Sequence, residues 1–265
     1  MQFRNKNVWI TGASSGIGEQ LAYSCIRRGA KLIISSRDKT KLEKVKKNCE
    51  GMGGECHVFP IDLSNGQQVE KVADEVMNRF KTIDLLINNG GVSQRSTAID
   101  TDEQVERKIM ETNFFGAVAI TKKVLPNMIK NGGGHIAVTS SITGKFGFKL
   151  RSSYAASKHA LHGYFDSLRL ELVNKNINVT IACPGFVKTE ISRSAFSKNG
   201  LNHEKMDRGQ QGGLSPEKCS ERYVSAIEKN KKEVLIGGSE LMMVYLKRFL
   251  PASLFNRIAL RIRAT

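Results

Sequence analysis

The sequence predicts an α/β fold: one doubly wound domain whose seven-stranded, mainly parallel sheet is flanked by helices. Short apolar runs alternate with helical patterns along all 265 residues, as expected for strand–helix–strand units. A glycine-rich turn follows the first apolar run. No linker of biased composition divides the chain, so we expect residues 1–240 to form one domain, followed by a basic, apolar extension at 241–265.

The first strand, Asn7 to Thr11, leads into a glycine-rich turn, Gly12 to Gly18, and then into a helical pattern through Arg28. Glycine at three positions of this turn lets the backbone bend tightly and approach a pyrophosphate. The start of the following helix offers free N–H groups to the same anion. A turn of this kind between strand and helix indicates a Rossmann-type dinucleotide site.

The end of the second strand, Lys31 to Ser36, indicates which dinucleotide binds. An NAD site commonly has an acidic residue here for the ribose 2′-hydroxyl. This chain instead has Arg37, whose planar fork suits a 2′-phosphate. Asp38 is predicted to cap the helix that begins at Lys39. The pattern therefore favours NADP(H) over NAD(H).

The next two strands are predicted at Glu55 to Pro60 and Ile83 to Ile87, with a helix at Gln67 to Phe80 between them. Asp62 follows the first of these strands, where it either accepts a hydrogen bond from the adenine amine or serves as a turn residue. The second strand runs into Asn88-Asn89-Gly90-Gly91. Small residues there let the backbone pass close to a ribose.

A long helix is predicted from Asp102 to Lys130, followed by a strand from His135 to Ser140 and a helix from about Ser152. Asn113 lies inside the long helix, where its side chain competes for backbone partners. It is therefore either a functional residue or an ordinary polar residue on the surface.

The sixth strand, Ile177 to Cys183, is ended by Pro184-Gly185. A long, polar segment at 185–215 follows, and segments of this length often cover a substrate. A further helix begins at Pro216, and the seventh strand is Glu233 to Ile236.

Three residues near the fifth strand carry a candidate chemistry. Tyr154 and Lys158 are four positions apart and share a helix face, and Ser141 lies at the strand end. Lowering a phenol pKa from about 10 to about 7 takes on the order of 4 kcal/mol, which one cation at about 4 Å can supply at an effective dielectric near 20. The trio could protonate a bound carbonyl. An exposed Tyr and Lys on an amphipathic helix is the alternative.

Composition limits the function classes. The net charge of +16 favours anionic partners, but no nucleic-acid motif accompanies it, so we expect no nucleic acid. Five scattered cysteines without a Cys-x-x-Cys pair indicate a reducing compartment and no metal site. No apolar run reaches spanning length and no signal peptide is visible. We therefore expect a cytoplasmic protein.

Together these pieces resemble the short-chain dehydrogenase/reductase family over nearly the whole chain. The matching pieces are Thr11 to Gly18, Asn88 to Gly91, Asn113, Ser141, Tyr154 to Lys158, and Pro184-Gly185. The resemblance implies a seven-stranded parallel sheet and a homodimer or homotetramer. Gly90 departs from the alanine usual in the family, a small change from which we expect little loss.

The resemblance also implies residue roles. Tyr154 would be the general acid-base, Lys158 would lower its pKa and bind the nicotinamide ribose, and Ser141 would orient the substrate oxygen. Asn113 would bend its helix and hold a water that links Lys158 to solvent. Ser14 matches a second position that contacts the 2′-phosphate. The predicted cofactor-binding residues are Gly12, Ser14, Ser15, Gly16, Ile17, Gly18, Arg37, Asp62, Leu63, Asn89, Gly90, Tyr154, Lys158, Pro184, Gly185, Val187 and Thr189.

The stretch Pro184 to Glu190 and the tail after Gly237 resemble members grouped with dehydrogenase/reductase member 7B and the 11β-hydroxysteroid dehydrogenases. That resemblance implies a lipid-like ketone or alcohol as substrate. The tail at 241–265 is basic and apolar, so it either contacts a membrane surface or packs against its own chain or a partner subunit. Pro251 argues against one continuous helix there.

The sequence thus predicts an NADP(H)-dependent oxidoreductase that interconverts a carbonyl and a secondary alcohol. Two alternatives remain open at this point: a 3-oxoacyl-carrier-protein reductase, and a non-catalytic NADP-binding sensor or scaffold. The long 185–215 segment and the tail count against the first alternative. The intact set of Ser141, Tyr154 and Lys158 counts against the second.

Overall fold

The computed structural model describes residues 1–261 and contains seven parallel strands in one sheet. The strands are β1 Asn7–Thr11, β2 Lys31–Ser35, β3 Cys56–Val58, β4 Leu85–Asn88, β5 Gly134–Thr139, β6 Ile177–Pro184 and β7 Glu233–Ile236. Their spatial order is β3-β2-β1-β4-β5-β6-β7. The order reverses between β1 and β4, and ligands of such sheets bind outside the carboxyl ends of the strands at that point. The predicted fold class is confirmed.

Helices cover both faces of the sheet. They are α1 Gly16–Ile26, α2 Lys39–Gly51, α3 Gly66–Arg79, α4 Glu103–Met110, α5 Gly116–Lys130, α6 Ser152–Glu171, α7 Arg208–Gln211, α8 Pro216–Glu228, α9 Met242–Phe249 and α10 Ala252–Arg261. Every predicted strand overlaps an observed one, although β3 is shorter than expected.

The strands are apolar on both sides because each face of the sheet supports its own core. On β1, Val8 and Ile10 pack into one core while Trp9 packs into the other. This is the pattern of a parallel sheet that is covered on both faces. The indole of Trp9 donates to the Ser35 hydroxyl at 2.9 Å, which satisfies its only polar atom.

Polar side chains set the helix starts that the sequence indicated. The Asp38 carboxylate accepts a hydrogen bond from the Lys41 backbone N–H at 3.0 Å, which confirms its predicted capping role. Ser215 caps α8 in the same way, and Pro216 occupies the first turn of that helix.

The region from 102 to 130 differs from the single helix expected there. The segment Glu111–Phe115 is a π-helical turn between α4 and α5. Such a turn accommodates an extra residue and is frequent at functional sites. Asn113 lies within this turn and is buried, so its side chain points into the fold and is not a surface group.

The chain ends in a helical pair, α9 and α10, that we call the C-terminal hairpin. Pro251 separates the two helices, as the sequence predicted. Met243 and Phe255 from the hairpin pack with Phe146 in a small core of their own. The predicted tail also included Ile262 and Arg263, which lie outside the described residues. Within residues 1–261, no helix has the length and apolar character needed to cross a membrane.

Candidate active site

A cavity of about 590 Å³ lies at the carboxyl ends of the central strands. The glycine-rich turn forms one part of its wall, and Ser141, Tyr154 and Lys158 form another. Every residue predicted to bind the cofactor lines this cavity, as do the three predicted catalytic residues just named. Asn113 is the exception, because it lies behind the wall. The volume falls within the usual range for small-molecule and cofactor sites.

The glycine-rich turn has a geometry that only glycine supports. Gly12 and Gly16 have φ angles of +64° and +57°, a region that other residues rarely adopt. A Cβ added to Gly18 would lie 2.1 Å from the Gly12 carbonyl oxygen. The Asn89 side chain braces this carbonyl by donating to it at 3.2 Å. The turn is therefore closely packed on itself and presents backbone to the cavity, which fits a pyrophosphate.

The far end of the cavity combines cationic side chains with hydroxyl groups. Arg37 is exposed and lines this end. The hydroxyl of Ser36 is buried there without a hydrogen-bond partner among the described residues, and such groups commonly mark a ligand contact.

Asp62 also lines the cavity. Burial acts to raise the pKa of its carboxyl, but hydrogen bonds from the N–H and the hydroxyl of Ser64 outweigh this effect. The pKa of Asp62 therefore lies below its usual value.

The catalytic candidates converge as the sequence predicted. Ser141 follows β5, and the first turns of α6 carry Tyr154 and Lys158. The hydroxyl of Ser141 lines the cavity beside the phenol of Tyr154 and donates to the Pro184 carbonyl at 3.4 Å. Lys158 donates to the Thr139 carbonyl at 2.8 Å, and its ammonium lies 5.7 Å from the centre of the Tyr154 ring. All three side chains are buried.

The sequence predicted a lowered pKa for Tyr154, but the surroundings of the phenol act in the other direction. Burial is the largest influence and raises the pKa of Tyr154 above its ordinary value. The neighbouring Ser141 hydroxyl and the charges of Arg95 and Arg151 act in the opposite direction. Burial also lowers the pKa of Lys158 to about 8, since a dry environment disfavours the ammonium.

Asn113 ties the helix to the loop after β4. Its side-chain oxygen accepts from the Val92 N–H at 2.8 Å, and its amide donates to the Val92 carbonyl and to the Ser157 hydroxyl, both at 2.9 Å. The side chain therefore acts as a substitute backbone partner for Val92. Its buried position against α6 agrees with a functional residue more than with a surface one.

Sequence reasoning missed a charged group beside the apolar part of the cavity. Arg95 and Arg151 line this part together with Tyr154, and the buried Asp207 pairs with both arginines. Arg95 and Asp207 lie 112 positions apart, so their pairing left no local pattern. Arg151 lies three residues before Tyr154, a proximity that could have marked it as a candidate. Apolar side chains complete this side: Ile142, Phe148, Phe186 and Ile191.

A second polar cluster lies away from the cavity. His162, Cys183 and Glu233 bring ligand-type atoms within 4.8 Å of one another. The ammonium of Lys145 forms an ion pair with Glu233 and lies 3.2 Å from the His162 ring. That cation already balances the carboxylate, so the cluster is explained as an ion pair. It gives no support for a metal site.

Comparison with known proteins connects this geometry to a family. Residues 6–200 match the family described as short chain dehydrogenase. A Drosophila melanogaster protein described as dehydrogenase/reductase SDR family protein 7-like is 38% identical over 96% of this chain and 80% of its own length. Dehydrogenase/reductase SDR family member 7B from Mus musculus is 38% identical, over 98% of this chain and 82% of its own length.

Solved structures agree on the fold. A short chain dehydrogenase/reductase from Burkholderia phymatum, solved in complex with NAD, superposes with a TM-score of 0.85 at 24% identity over 100% of this chain and 98% of its own. An alcohol dehydrogenase from Thermococcus sibiricus, complexed with 5-hydroxy-NADP, superposes with a TM-score of 0.77 at 24% identity. The match covers 89% of this chain and 97% of its own. With residues 6–200 matched and relatives aligned over most of their length, the chain belongs to the short-chain dehydrogenase/reductase family of oxidoreductases.

Proposed function

We propose that the protein interconverts a carbonyl and a secondary alcohol with NADP(H), on a hydrophobic, lipid-like substrate, with Tyr154 as the general acid-base. The observation that carries this proposal is the meeting of Ser141, Tyr154 and Lys158 in one cavity with the glycine-rich turn. The buried phenol lies where a substrate oxygen would enter from the apolar side, and the turn lies where a dinucleotide would bind.

Each residue has a distinct task in this proposal. The bound nicotinamide supplies or accepts the hydride. Tyr154 donates a proton to the carbonyl oxygen in reduction and takes it back in oxidation. The Ser141 hydroxyl holds the same oxygen, and Lys158 holds the ribose hydroxyls close to the phenol. Exclusion of water by the 185–215 segment strengthens these polar contacts.

A Tyr154→Phe substitution tests the acid-base role. We expect turnover to fall by about 10²–10⁴-fold, because the phenyl ring keeps the packing but has no proton to give. Binding of NADPH, followed by fluorescence, should stay within about twofold, a change of less than about 0.5 kcal/mol. Tyr245→Phe, at an exposed position on α9, is the control. Full turnover in the Tyr154 variant would favour the non-catalytic sensor instead.

The preference for NADP(H) has its own support. Arg37 and Lys41 are the cations at the adenosine end of the cavity, and Ser14 and Ser36 add hydroxyls there. We expect Arg37→Ala to weaken NADPH binding by at least about tenfold, or about 1.4 kcal/mol, and to leave NADH binding nearly unchanged. Calorimetric titration of both nucleotides measures this, with Arg107→Ala, an exposed arginine on α4, as the control. Equal losses for both nucleotides would count against phosphate recognition by Arg37.

A peripheral membrane contact of the C-terminal hairpin is a further part of the proposal. Met242, Tyr245 and Phe249 of α9 are exposed, with Phe249 at 75%, and Lys247 and Arg248 accompany them. Exposed apolar groups beside basic ones suit an anionic lipid surface. Flotation with phosphatidylserine vesicles should recover the protein, and a Phe249→Ser variant should remain in the unbound fraction. Equal recovery of the protein on neutral vesicles would show that the basic residues do not contribute to membrane binding.

Self-association into a homodimer or homotetramer also belongs to the proposal. Phe115 and Leu170, on the helical region after α4 and on α6, are 49% and 77% exposed. The two elements contact each other, and a second copy placed over them would remove this apolar surface from water. Sedimentation at working concentration should show more than one chain per particle, and a single-chain mass would contradict this.

A further inference from the structure

Residues 184–189, which we call the wall segment, line both the large cavity and its apolar part. Four of them line the large cavity: Pro184, Gly185, Val187 and Thr189. Thr189 also approaches the glycine-rich turn, since a Cβ added to Gly16 would lie 3.0 Å from its methyl group. Phe186 lines the apolar part together with Tyr154. The position of this one segment therefore sets the shape of both parts.

Hydrogen bonds to neighbouring backbone hold most of the wall segment. The Gly185 N–H donates to the Ile236 carbonyl at 2.8 Å, which continues the pairing of β6 with β7. The Lys188 N–H donates to the Leu214 carbonyl at 2.9 Å, and the Leu214 N–H donates to the Phe186 carbonyl at the same distance. These bonds fix the residues on either side of Phe186 and also its carbonyl group.

The N–H of Phe186 is satisfied by a side chain from beyond β7. Glu240 lies in the short turn that precedes α9, and its Oε1 accepts a hydrogen bond from the Phe186 N–H at 2.9 Å. The two residues are 54 positions apart. A hydrogen bond to a carboxylate is roughly twice as strong as one between neutral groups. This contact therefore ties the wall segment to the start of the C-terminal hairpin.

Glycine at two positions makes room for the Glu240 carboxylate. A Cβ added to Gly185 would lie 2.2 Å from Glu240 Oε1, and one added to Gly237 would lie 2.4 Å from the same atom. Atoms that are not bonded to each other cannot pack so closely. Neither glycine has a positive φ angle, so what these two positions supply is space and not an unusual backbone conformation.

We propose that Glu240 is a positioning residue for the bound nucleotide, because its carboxylate keeps the wall segment in the conformation that accepts the nicotinamide half. The inference deepens the function proposed above and rests on it, since it requires a dinucleotide whose nicotinamide reaches Tyr154. Glu240 does not itself line the cavity, so it acts only through the wall segment. The adenosine end is formed by other residues, Ser36, Arg37 and Lys41 among them.

The alternative is that Glu240 only stabilises the start of the C-terminal hairpin. The two explanations differ in the ligands that they affect. A general loss of stability weakens every nucleotide alike, whereas a displaced wall segment weakens only a ligand that carries the nicotinamide. Adenosine 2′,5′-bisphosphate has the adenosine and the 2′-phosphate of NADPH but lacks the nicotinamide half. It therefore reports on the adenosine end alone.

The test is calorimetric titration of NADPH and of adenosine 2′,5′-bisphosphate. In Glu240→Ala we expect the dissociation constant of NADPH to rise about fivefold or more, because a smaller fraction of the protein holds the wall segment in the binding conformation. The dissociation constant of the bisphosphate should stay within about twofold, which also shows that the variant is folded. Glu240→Gln keeps an oxygen that accepts the Phe186 N–H and should bind NADPH almost normally. Glu75→Ala, at an exposed site on α3, is the control.

A Gly237→Ala variant disturbs the same hydrogen bond from the other side. Its Cβ would occupy the place of the Glu240 carboxylate, and Gly237 does not line the cavity. We expect NADPH binding to weaken as in Glu240→Ala, with the bisphosphate again unaffected. Because both changes break one contact, the double variant should bind NADPH no more weakly than either single variant. If Glu240→Ala does not fold, the contrast between Gly237→Ala and Glu240→Gln decides the question.

Three results would overturn the proposal: an unchanged dissociation constant of NADPH in Glu240→Ala, equal losses for the two ligands, or a Glu240→Gln variant as weak as Glu240→Ala. Additive losses in the double variant would overturn it as well, because they would show that Gly237 and Glu240 act separately. Full turnover of Tyr154→Phe would instead remove the proposed acid-base role and leave the binding results for Glu240 intact.

Discussion

Asn113 shows how one side chain can replace missing backbone partners. The π-helical turn interrupts the regular hydrogen-bond ladder, and the amide of Asn113 takes up both the N–H and the carbonyl of Val92. Its third hydrogen bond reaches Ser157 on α6. One residue thereby joins the loop after β4 to the helix that carries Tyr154.

We predict that Asn113→Ala destabilises the fold by about 2–4 kcal/mol, because buried groups of Val92 and Ser157 lose their partner and each unsatisfied group costs about 1–3 kcal/mol. Urea unfolding followed by circular dichroism measures this. Asn174→Ala, at an exposed turn after α6, should change stability by less than about 0.5 kcal/mol. A loss no larger than that of the control would show that the hydrogen bonds are replaced by other groups.

Among single residues, the sequence identified Ser141, Tyr154 and Lys158 as candidates that lie close together. It could do so because Ser141 follows the end of a strand and the other two lie one turn apart near the start of the next helix. It could not identify Arg95 and Asp207 as a pair. Their partnership depends on how the 185–215 segment folds, and that segment has no periodic pattern from which a path could be derived. The sequence also does not show how completely Tyr154 is buried, so it could not predict that burial would raise the pKa of the phenol.

Among elements, the glycine-rich turn is the one whose shape depends most on a missing side chain. We predict that Gly18→Ala weakens nucleotide binding by at least about tenfold, about 1.4 kcal/mol, since the new Cβ would lie 2.1 Å from the Gly12 carbonyl oxygen. That oxygen belongs to the backbone and has little room to move. Calorimetric titration with NADPH gives the comparison with the unsubstituted protein.

Two other glycines serve as controls for this turn. A Cβ at Gly66, at the start of α3, would meet nothing within 4 Å, so Gly66→Ala should bind nucleotide normally. At Gly90 a Cβ would meet the end of the Leu63 side chain at 2.4 Å, which can rotate away, so Gly90→Ala should have a small effect. A large loss in Gly66→Ala would show that the assay reports general instability.

The elements themselves were largely predictable, because apolar strands and capped helices leave local signals such as Asp38 and Pro216. The π-helical turn at Glu111–Phe115 was not. Asn113 in this turn bonds to Val92, 21 positions earlier in the chain, and a helical pattern of apolar residues does not reveal one inserted residue. The sequence also could not predict where the C-terminal hairpin lies. Its apolar residues could contact a membrane, a partner subunit or the rest of the same chain equally well.

Across the whole molecule, an ion-pair network joins the first helix to α8. Arg27 and Arg28 of this region pair with Glu221 at 2.9 and 2.8 Å. The hydrogen bond from Arg28 is the main reason that the pKa of the Glu221 carboxyl falls to about 2. Since the folded pKa lies below the unfolded value of about 4.3, this group stabilises the fold above that value.

We predict that this contribution is lost as the pH falls from about 4.3 toward 2, because protonation of Glu221 ends the pairing. The carboxylate is 42% exposed, so solvent screening keeps the contribution below about 1 kcal/mol. Unfolding free energies measured at pH 6 and pH 3 should differ less in Glu221→Gln than in the unsubstituted protein. Glu70→Gln, at an exposed site on α3, should keep the full difference.

The C-terminal hairpin has an effect that reaches beyond its own packing. Phe148 forms part of the apolar wall next to Tyr154 and also packs against the core that Phe146 and Phe255 build with the hairpin. The last helices therefore support the wall of the cavity beside Tyr154, although Ser141, Tyr154 and Lys158 lie on other elements. A chain shortened to end at Gly238 would keep these three residues and lose the support of that wall, and we expect its cavity to admit a wider range of molecules.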